Sequence, residues 1–103
     1  ANTLHIMSWQ NVEILFDRFQ ACLNPSARVC IYGPFNYHGN YTSDSNARFD
    51  QWLKNRDPVS GIRDFEAVIV LAEKAGLRLL KDNAMPTNNR LLVLQKPDNV
   101  LYK

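Results

Sequence analysis

Apolar side chains recur at the three- and four-residue spacing of helices in three parts of this chain. The segments with this spacing are residues 9–23, about 43–56 and 65–75. Ser8 and Asp64 precede the first and third segments and are their expected N-caps, whereas Thr42 or Ser43 can cap the second. Gly76 is the expected left-handed residue that ends the third helix. The apolar positions of the second predicted helix are Ala47, Phe49, Trp52 and Leu53.

Strand-forming segments alternate with these helices. Residues 28–32 contain a continuous apolar run, which is typical of a strand covered on both faces. Residues 77–84 and 90–95 flank a turn rich in proline and asparagine, residues 85–89, and therefore predict an antiparallel hairpin. Residues 2–7 alternate weakly and fit either a short strand or a loop. This order of elements predicts an α/β domain in which helices cover a mixed sheet.

Composition narrows the class of protein. A length of 103 residues with 46% hydrophobic content fits one globular domain, with residues 97–103 as a tail of little fixed structure. The formal net charge of +2 is spread without a basic run, so nucleic acid is not an expected partner. Apolar runs are far shorter than a membrane span, and no secretory signal is visible, so we expect a cytoplasmic protein that does not insert into membranes.

Most common catalytic and binding motifs are missing from the sequence. Neither a phosphate loop, a dinucleotide glycine motif nor a nucleophile elbow is present. His5 and His38 have no partner at metal-ligand spacing, so no metal site is expected. Cys22 and Cys30 lack the close pairing of zinc and redox motifs, and we expect two buried thiols that act as small apolar side chains. Residues 35–41, rich in aromatic and hydrogen-bonding groups, form a candidate binding loop.

A series of short motifs gives a more specific signal. They are Tyr32-Gly33-Pro34-Phe35, Ser45-Asn46 with Phe49-Asp50, Arg56-Asp57-Pro58, Gly61-Ile62-Arg63-Asp64 and Met85-Pro86-Thr87-Asn88-Asn89. In this order and spacing they resemble the C-terminal half of the methyltransferase-like protein 26 family. The members of that family are similar to small class I S-adenosylmethionine-dependent methyltransferases. The resemblance covers about residues 2–96 and includes Asn2, His5-Ile6 and Ser8-Trp9, with Ser8 where the family usually has proline.

The resemblance implies the C-terminal half of a Rossmann-like methyltransferase fold, with strands in the order four, five, seven, six and strand seven antiparallel. Residues 28–32 should then pair with residues 91–95, and residues 85–89 should meet the loop at 33–41 at one edge of the sheet. The substrate-binding residues implied are Trp9, Tyr32, Asn46, Arg63, Asn88 and Asn89. His5 and Asp50 are the candidate catalytic residues, and Asn2 is the candidate cofactor contact. Capping and turn formation are equally compatible with these residue types.

The resemblance also defines what this chain does not contain. The family's first half, with its glycine-rich cofactor loop, has no counterpart here, so we expect no binding of S-adenosylmethionine by this chain alone. The implied function is the substrate side of a methyltransferase for a small or unknown methyl acceptor. The alternative is a non-catalytic interaction or regulatory module. The open flank of the strand at 28–32 should recruit a second copy or a cofactor-binding half.

Overall fold

The computed structural model describes residues 4–97, so Asn2 and the tail beyond Pro97 lie outside the described residues. The helices are α1 (Trp9–Cys22), α2 (Asp44–Arg56) and α3 (Phe65–Lys74). The strands are β1 (Arg28–Gly33), β2 (Phe35–Asn36), β3 (Arg63–Asp64), β4 (Arg78–Met85) and β5 (Asn89–Gln95). Two short 3₁₀ turns, Leu4–Ile6 and Pro86–Asn88, complete the order. Of the segment 2–7, which fits either a short strand or a loop, the described residues Leu4–Ile6 form the first of these turns and no strand.

The helix ends follow the local chemistry of the sequence. Ser8 Oγ accepts a hydrogen bond of 3.1 Å from the Asn11 N–H at the start of α1. Ser43, rather than Thr42, caps α2, with Oγ 3.0 Å from the backbone nitrogen of Asn46. Gly76 follows α3 with φ +83°, the left-handed conformation that glycine adopts without steric cost. The three predicted helices are confirmed, but Asp64, the expected cap of α3, makes no capping side-chain hydrogen bond.

The main sheet has the order β1–β5–β4, with both pairs antiparallel. Arg28 pairs with Gln95 and Tyr32 with Leu91, so the predicted pairing of residues 28–32 with residues 91–95 is confirmed. The hairpin of β4 and β5 is confirmed as well. A second, two-stranded parallel sheet joins β2 to β3. It was not predicted, because strands of two residues are too short to show an alternating pattern.

The core lies between one face of the main sheet and the helices α1 and α3. Its fully buried members include Val12 and Phe16 of α1, Val68 and Ala72 of α3, and Ile31, Leu92 and Leu94 of the sheet. Leu4, from the first 3₁₀ turn, joins the same cluster. None of the helices within residues 4–97 is long and apolar enough to cross a membrane.

The prediction of a strand covered on both faces is wrong for β1. Ile31 is 1% exposed, but Cys30 beside it is exposed, because successive side chains of a strand point to opposite faces. Within the described chain, α1 and α3 share a core with the Ile31 face. Cys22 is also exposed, in the last turn of α1. The prediction of two buried thiols is therefore wrong.

The inward face of α2 is polar, contrary to the apolar stripe predicted for it. Its buried residues are Asn46, Asp50 and Leu53, at the spacing of one helix face. Leu53 is buried as predicted, whereas Trp52 is 51% exposed. Buried polar side chains need hydrogen-bond partners. Asn46 donates to Thr42 just before the helix. Asp50 accepts from Ile62 beyond it and pairs with Lys54 on α2 itself. This polar face lies next to the candidate site.

Candidate functional site

A pocket of about 380 Å³ opens where β1 ends and β5 begins. Four parts of the chain line it: the 3₁₀ turn before α1, the end of β1, the first turns of α2 and the hairpin turn. The lining residues are His5, Tyr32, Gly33, Pro34, Ser45, Asn46, Phe49, Thr87 and Asn89. Its wall combines aromatic rings with neutral hydrogen-bonding groups. Such a mixture is typical of small-molecule sites.

Hydrogen bonds between distant segments hold the pocket's polar side together. The Asn89 Nδ2 donates to the Tyr32 hydroxyl oxygen at 3.3 Å. Asn88 Nδ2 donates to Ser45 Oγ at 3.3 Å, and Asn46 Nδ2 lies 3.5 Å from the Asn88 carbonyl oxygen. These contacts connect the hairpin turn to β1 and to the N-terminal end of α2. The turn therefore has a defined position at the pocket.

The hairpin turn places two successive residues in the left-handed region. Thr87 has φ +58° and Asn88 has φ +62°. Asparagine adopts this conformation readily, but a β-branched threonine does so rarely and at a cost of about 1–3 kcal/mol. The Asn89 side chain also donates to Thr87 Oγ1, at 3.1 Å. Strained backbone of this kind concentrates at functional sites, and here it presents Thr87 and Asn89 to the pocket.

His5 contributes a half-buried imidazole to the pocket wall. A Cβ placed on Gly33 would lie 3.4 Å from His5 Nδ1, so the ring rests close to the backbone of β1. The His5 ring also lies 5.7 Å from the Phe49 ring, between centroids. Burial, together with the positive charge of Arg63, lowers the pKa of His5 below 6.5. The imidazole is therefore uncharged at neutral pH and able to accept a proton.

Asp50 lies outside the pocket lining and is enclosed by donors. Its carboxylate accepts hydrogen bonds from the Tyr41 hydroxyl at 2.5 Å and the Ile62 N–H at 2.8 Å. Lys54 Nζ is 3.0 Å from the same group. Burial by itself would raise the pKa of Asp50, but the bonds from Tyr41, Ile62 and Lys54 outweigh it and hold the pKa below the ordinary value. The group is thus a well-compensated carboxylate.

Arg63 and Trp9 also lie outside the lining. The Arg63 guanidinium donates to the backbone carbonyls of Leu4, Met7 and Val59. It also lies over the Trp9 ring, 5.9 Å from the ring centroid. Arg63 therefore contacts the segment that carries His5 instead of the pocket itself.

The structure brings part of the predicted set together in one pocket: His5, Tyr32, Asn46 and Asn89. Four predicted residues do not line it: Trp9, Asp50, Arg63 and Asn88. Asn2 lies outside the described residues. The lining residues that were not predicted as site residues are Gly33, Pro34, Ser45, Phe49 and Thr87. All five belong to the short motifs of the sequence, so motif membership was the signal that could have identified them.

Two other features bear on the choice of site. A cavity of about 400 Å³ lies at the C-terminal end of α2, lined by Leu53, Arg56, Asp57 and Ser60. Its lining residues belong to no strand, whereas ligands in open α/β sheets bind at strand ends. Among the residues that the structure describes, no group of three or more His, Cys, Asp or Glu side chains could hold a metal ion.

Three solved structures that share this fold are described as methyltransferases. An O-methyltransferase family protein from Burkholderia thailandensis aligns over 95% of this chain and 29% of its own, with a TM-score of 0.80 and 13% identity. The mitomycin 7-O-methyltransferase MmcR aligns over 90% of this chain and 27% of its own, with a TM-score of 0.73 and 20% identity. The S-adenosylmethionine-dependent methyltransferase SibL aligns over 94% and 29%, with a TM-score of 0.72 and 20% identity.

The TM-scores show that this chain shares the fold of those proteins. It spans between a quarter and a third of their length. The predicted fold class, the C-terminal part of a methyltransferase fold with an antiparallel hairpin, is confirmed by them. A family model described as a protein of unknown function (DUF938) matches residues 1–96. Because the match extends over nearly the whole sequence, the chain belongs to the DUF938 family.

Proposed function

We propose that this chain forms the acceptor side of the active site in an S-adenosylmethionine-dependent methyltransferase. The observation that supports this best is the position of the pocket, which lies at the strand ends of the main sheet. The chain shares its fold with methyltransferases. Membership of the methyltransferase-like protein 26 family and a cytoplasmic location belong to the same proposal. The activity is proposed for the longer protein of which a chain of this extent would form one part.

The cofactor's own site is proposed to lie in another part of the longer protein. S-adenosylmethionine would supply the methyl group, and its amino-acid part carries an ammonium and a carboxylate group. The described residues that line the pocket provide no carboxylate, ammonium or guanidinium group to pair with these charges. They therefore do not fit this cofactor by themselves. Asn2, outside the described residues, stays the proposed contact from this chain.

The charges around the pocket favour an uncharged acceptor. The carboxylate of Asp50 is paired with Lys54, and the Arg63 guanidinium is directed to backbone carbonyls. A charged ligand would enter the pocket without a partner for its charge, which is costly in a partly buried site. A neutral molecule could instead place apolar surface on Phe49 and hydrogen bonds on Asn46 or Asn89. We infer a small uncharged acceptor.

In this proposal the side chains of the pocket bind the acceptor and take up its proton. Asn46 and Asn89 would orient the acceptor through their amide groups, and Phe49 would exclude water from one side. The neutral imidazole of His5 would accept the proton that an acceptor hydroxyl loses when it is methylated.

The proposal is tested with the full-length protein, radiolabelled S-adenosylmethionine and matched sets of neutral, anionic and cationic aromatic alcohols. Methyl transfer to neutral compounds is the expected result. We expect Asn89→Ala to lower kcat/KM about tenfold, because one hydrogen bond is worth about 1 kcal/mol or somewhat more. Asn83→Ala is the control, since Asn83 donates to the Leu91 carbonyl on β5 and does not line the pocket. If Asn89→Ala lowers activity and melting temperature no more than Asn83→Ala does, Asn89 only shapes the turn.

The alternative is a non-catalytic interaction or regulatory module derived from the same fold. The pocket's lack of fit to S-adenosylmethionine is the observation that favours it. Calorimetric titration of the full-length protein with this cofactor separates the two functions. No binding at millimolar cofactor would contradict the methyltransferase and support the module.

The flank of β1 is the proposed contact surface for a partner. Among the described strands, only β5 pairs with β1, so the other edge of β1 pairs with no described strand. Edges of this kind recruit further strands. We propose that a strand of a cofactor-binding half, or of a second copy, pairs there.

Light scattering tests this contact on the purified 103-residue chain. We expect self-association at micromolar concentration when no cofactor-binding half is present, and loss of association when that half is supplied. A stable monomer that unfolds cooperatively at the same concentration would contradict the proposal.

A further inference from the structure

The segment that carries His5 is held from one side by the loop before β3. The Gly61 N–H donates to the His5 carbonyl oxygen at 2.9 Å. Two residues later, the Arg63 guanidinium donates to the carbonyls on either side, those of Leu4 and Met7. The backbone on both sides of His5 is thus fixed by one short loop.

Gly61 has no side chain to crowd the neighbouring residues of α2. A Cβ at this position would lie 2.9 Å from Asp50 Oδ1, closer than real Cβ contacts, and a tight 3.0 Å from Lys54 Cε, so the Asp50 side chain or the loop would have to shift. The next residue, Ile62, donates its N–H to the same Asp50 oxygen at 2.8 Å. Asp50 therefore fixes the loop to α2, and the loop fixes the backbone of His5. A side chain at Gly61 would therefore disturb this contact.

Arg63 is suited to this contact by the shape of its side chain. One guanidinium group reaches three carbonyls, those of Leu4, Met7 and Val59, and covers the face of Trp9 at the start of α1. The planar group of arginine presents five N–H donors in a fixed fork, whereas lysine is a point charge on a flexible stem. A lysine would keep the charge but lose this simultaneous contact. The geometry of the site thus depends on the guanidinium and not on charge alone.

We propose that Gly61 and Arg63 are positioning residues that hold His5 in place at the pocket. This inference rests on the proposed function, in which His5 is the proton acceptor. Neither residue lines the pocket, so neither is expected to contact the acceptor. Their contribution should appear in the turnover step, which depends on the placement of His5, and little in acceptor binding.

The test uses Arg63→Lys and Gly61→Ala in the full-length protein, assayed with a neutral aromatic alcohol that the wild type methylates. We expect kcat to fall about tenfold to a hundredfold while KM for the alcohol changes less than threefold. The control is Arg90→Lys, which likewise replaces a hydrogen-bonding guanidinium. The Arg90 guanidinium donates to the carboxylate and the backbone carbonyl of Asp82 and not to the backbone around His5. We expect its kcat to stay within twofold of the wild type.

NMR of the His5 ring gives a readout independent of methyl transfer. Carbon–proton correlation spectra should show the His5 ring signals shifted or broadened in Arg63→Lys and unchanged in Arg90→Lys. Unchanged His5 signals in Arg63→Lys would overturn the proposal. A rise in KM as large as the fall in kcat would overturn it as well. If the wild type transfers no methyl group, the proposed function fails, while the NMR comparison still decides the positioning role. If Gly61→Ala does not fold, Arg63→Lys decides it.

Discussion

Replacing Asp50 with alanine is expected to lower the free energy of unfolding by about 1–3 kcal/mol. The Asp50 side chain is 2% exposed and accepts hydrogen bonds from Tyr41, Ile62 and Lys54. Its removal leaves these three donors without their acceptor. The largest part of the cost comes from the Ile62 N–H, because it is buried and water does not replace the lost oxygen. Urea denaturation of wild type and variant, followed by circular dichroism, measures the difference.

Asp82→Ala is the matched control for Asp50→Ala. Asp82 also accepts a tyrosine hydroxyl bond, from Tyr37 at 2.8 Å, and pairs with a cation, Arg90. Its side chain is 19% exposed, so water can reach the groups left behind and the expected loss is smaller. A loss for Asp50→Ala no greater than that for Asp82→Ala would show that the Asp50 contacts contribute little to stability.

Acid should weaken the contribution of Asp50 in a defined direction. The folded-state pKa of Asp50 is lower than its ordinary value of 3.8, because the bonds from Tyr41, Ile62 and Lys54 outweigh the effect of burial. A group with a lowered folded pKa stabilises the fold fully above the unfolded pKa, and this stabilisation is lost as the pH falls through the folded pKa. The gap in stability between wild type and Asp50→Ala should therefore be constant near neutral pH and narrow below about pH 4.

Periodicity and capping residues were sufficient to predict the helices of this chain. Ser8 and Ser43 act within three residues of the groups they cap, so the relevant chemistry is local and visible in the sequence. The turn between β4 and β5 has the same local character. The pairing of β1 with β5 is a long-range contact, and it was predicted only through the resemblance to a known fold.

The exposure of a side chain depends on which elements cover it. The local sequence pattern does not contain this information. Cys30 has apolar neighbours in the sequence, yet it lies on the sheet face opposite Ile31 and is exposed. On α2, hydrophobicity favoured Trp52 for the core, whereas the buried polar residue Asp50 finds its donors in Tyr41 and Ile62. Partners of this kind come from tertiary contacts, which explains why the polar face of α2 was not predicted.

The candidate site shows the same division. Tyr32 and Asn89 line the pocket together because β1 and β5 are neighbours, as the implied strand order requires. The contacts of Arg63 with the backbone around His5 could not be predicted from the sequence, because a guanidinium bound to carbonyls leaves no motif of its own. Separating the residues that line a pocket from those that hold its walls needs coordinates.

His5→Gln is expected to lower kcat for methyl transfer by about 100- to 10,000-fold in the full-length protein, the range typical of losing a general base. Glutamine keeps hydrogen-bonding groups near the position of the imidazole but cannot accept a proton at neutral pH. Acceptor binding should change little, because Phe49, Asn46 and Asn89 remain in the pocket wall. Initial-rate kinetics with a neutral alcohol gives kcat and KM separately.

The pH profile distinguishes proton transfer from a packing role for His5. Burial and the charge of Arg63 keep the pKa of His5 below 6.5, so the wild-type rate should stay constant at neutral pH and fall only as the pH drops through that lower value. In His5→Gln the remaining activity should lack this step. His38→Gln is the control, since His38 is 87% exposed and interacts with Glu66 at the surface. If the step seen in the wild type persists in His5→Gln, proton transfer belongs to a group other than His5.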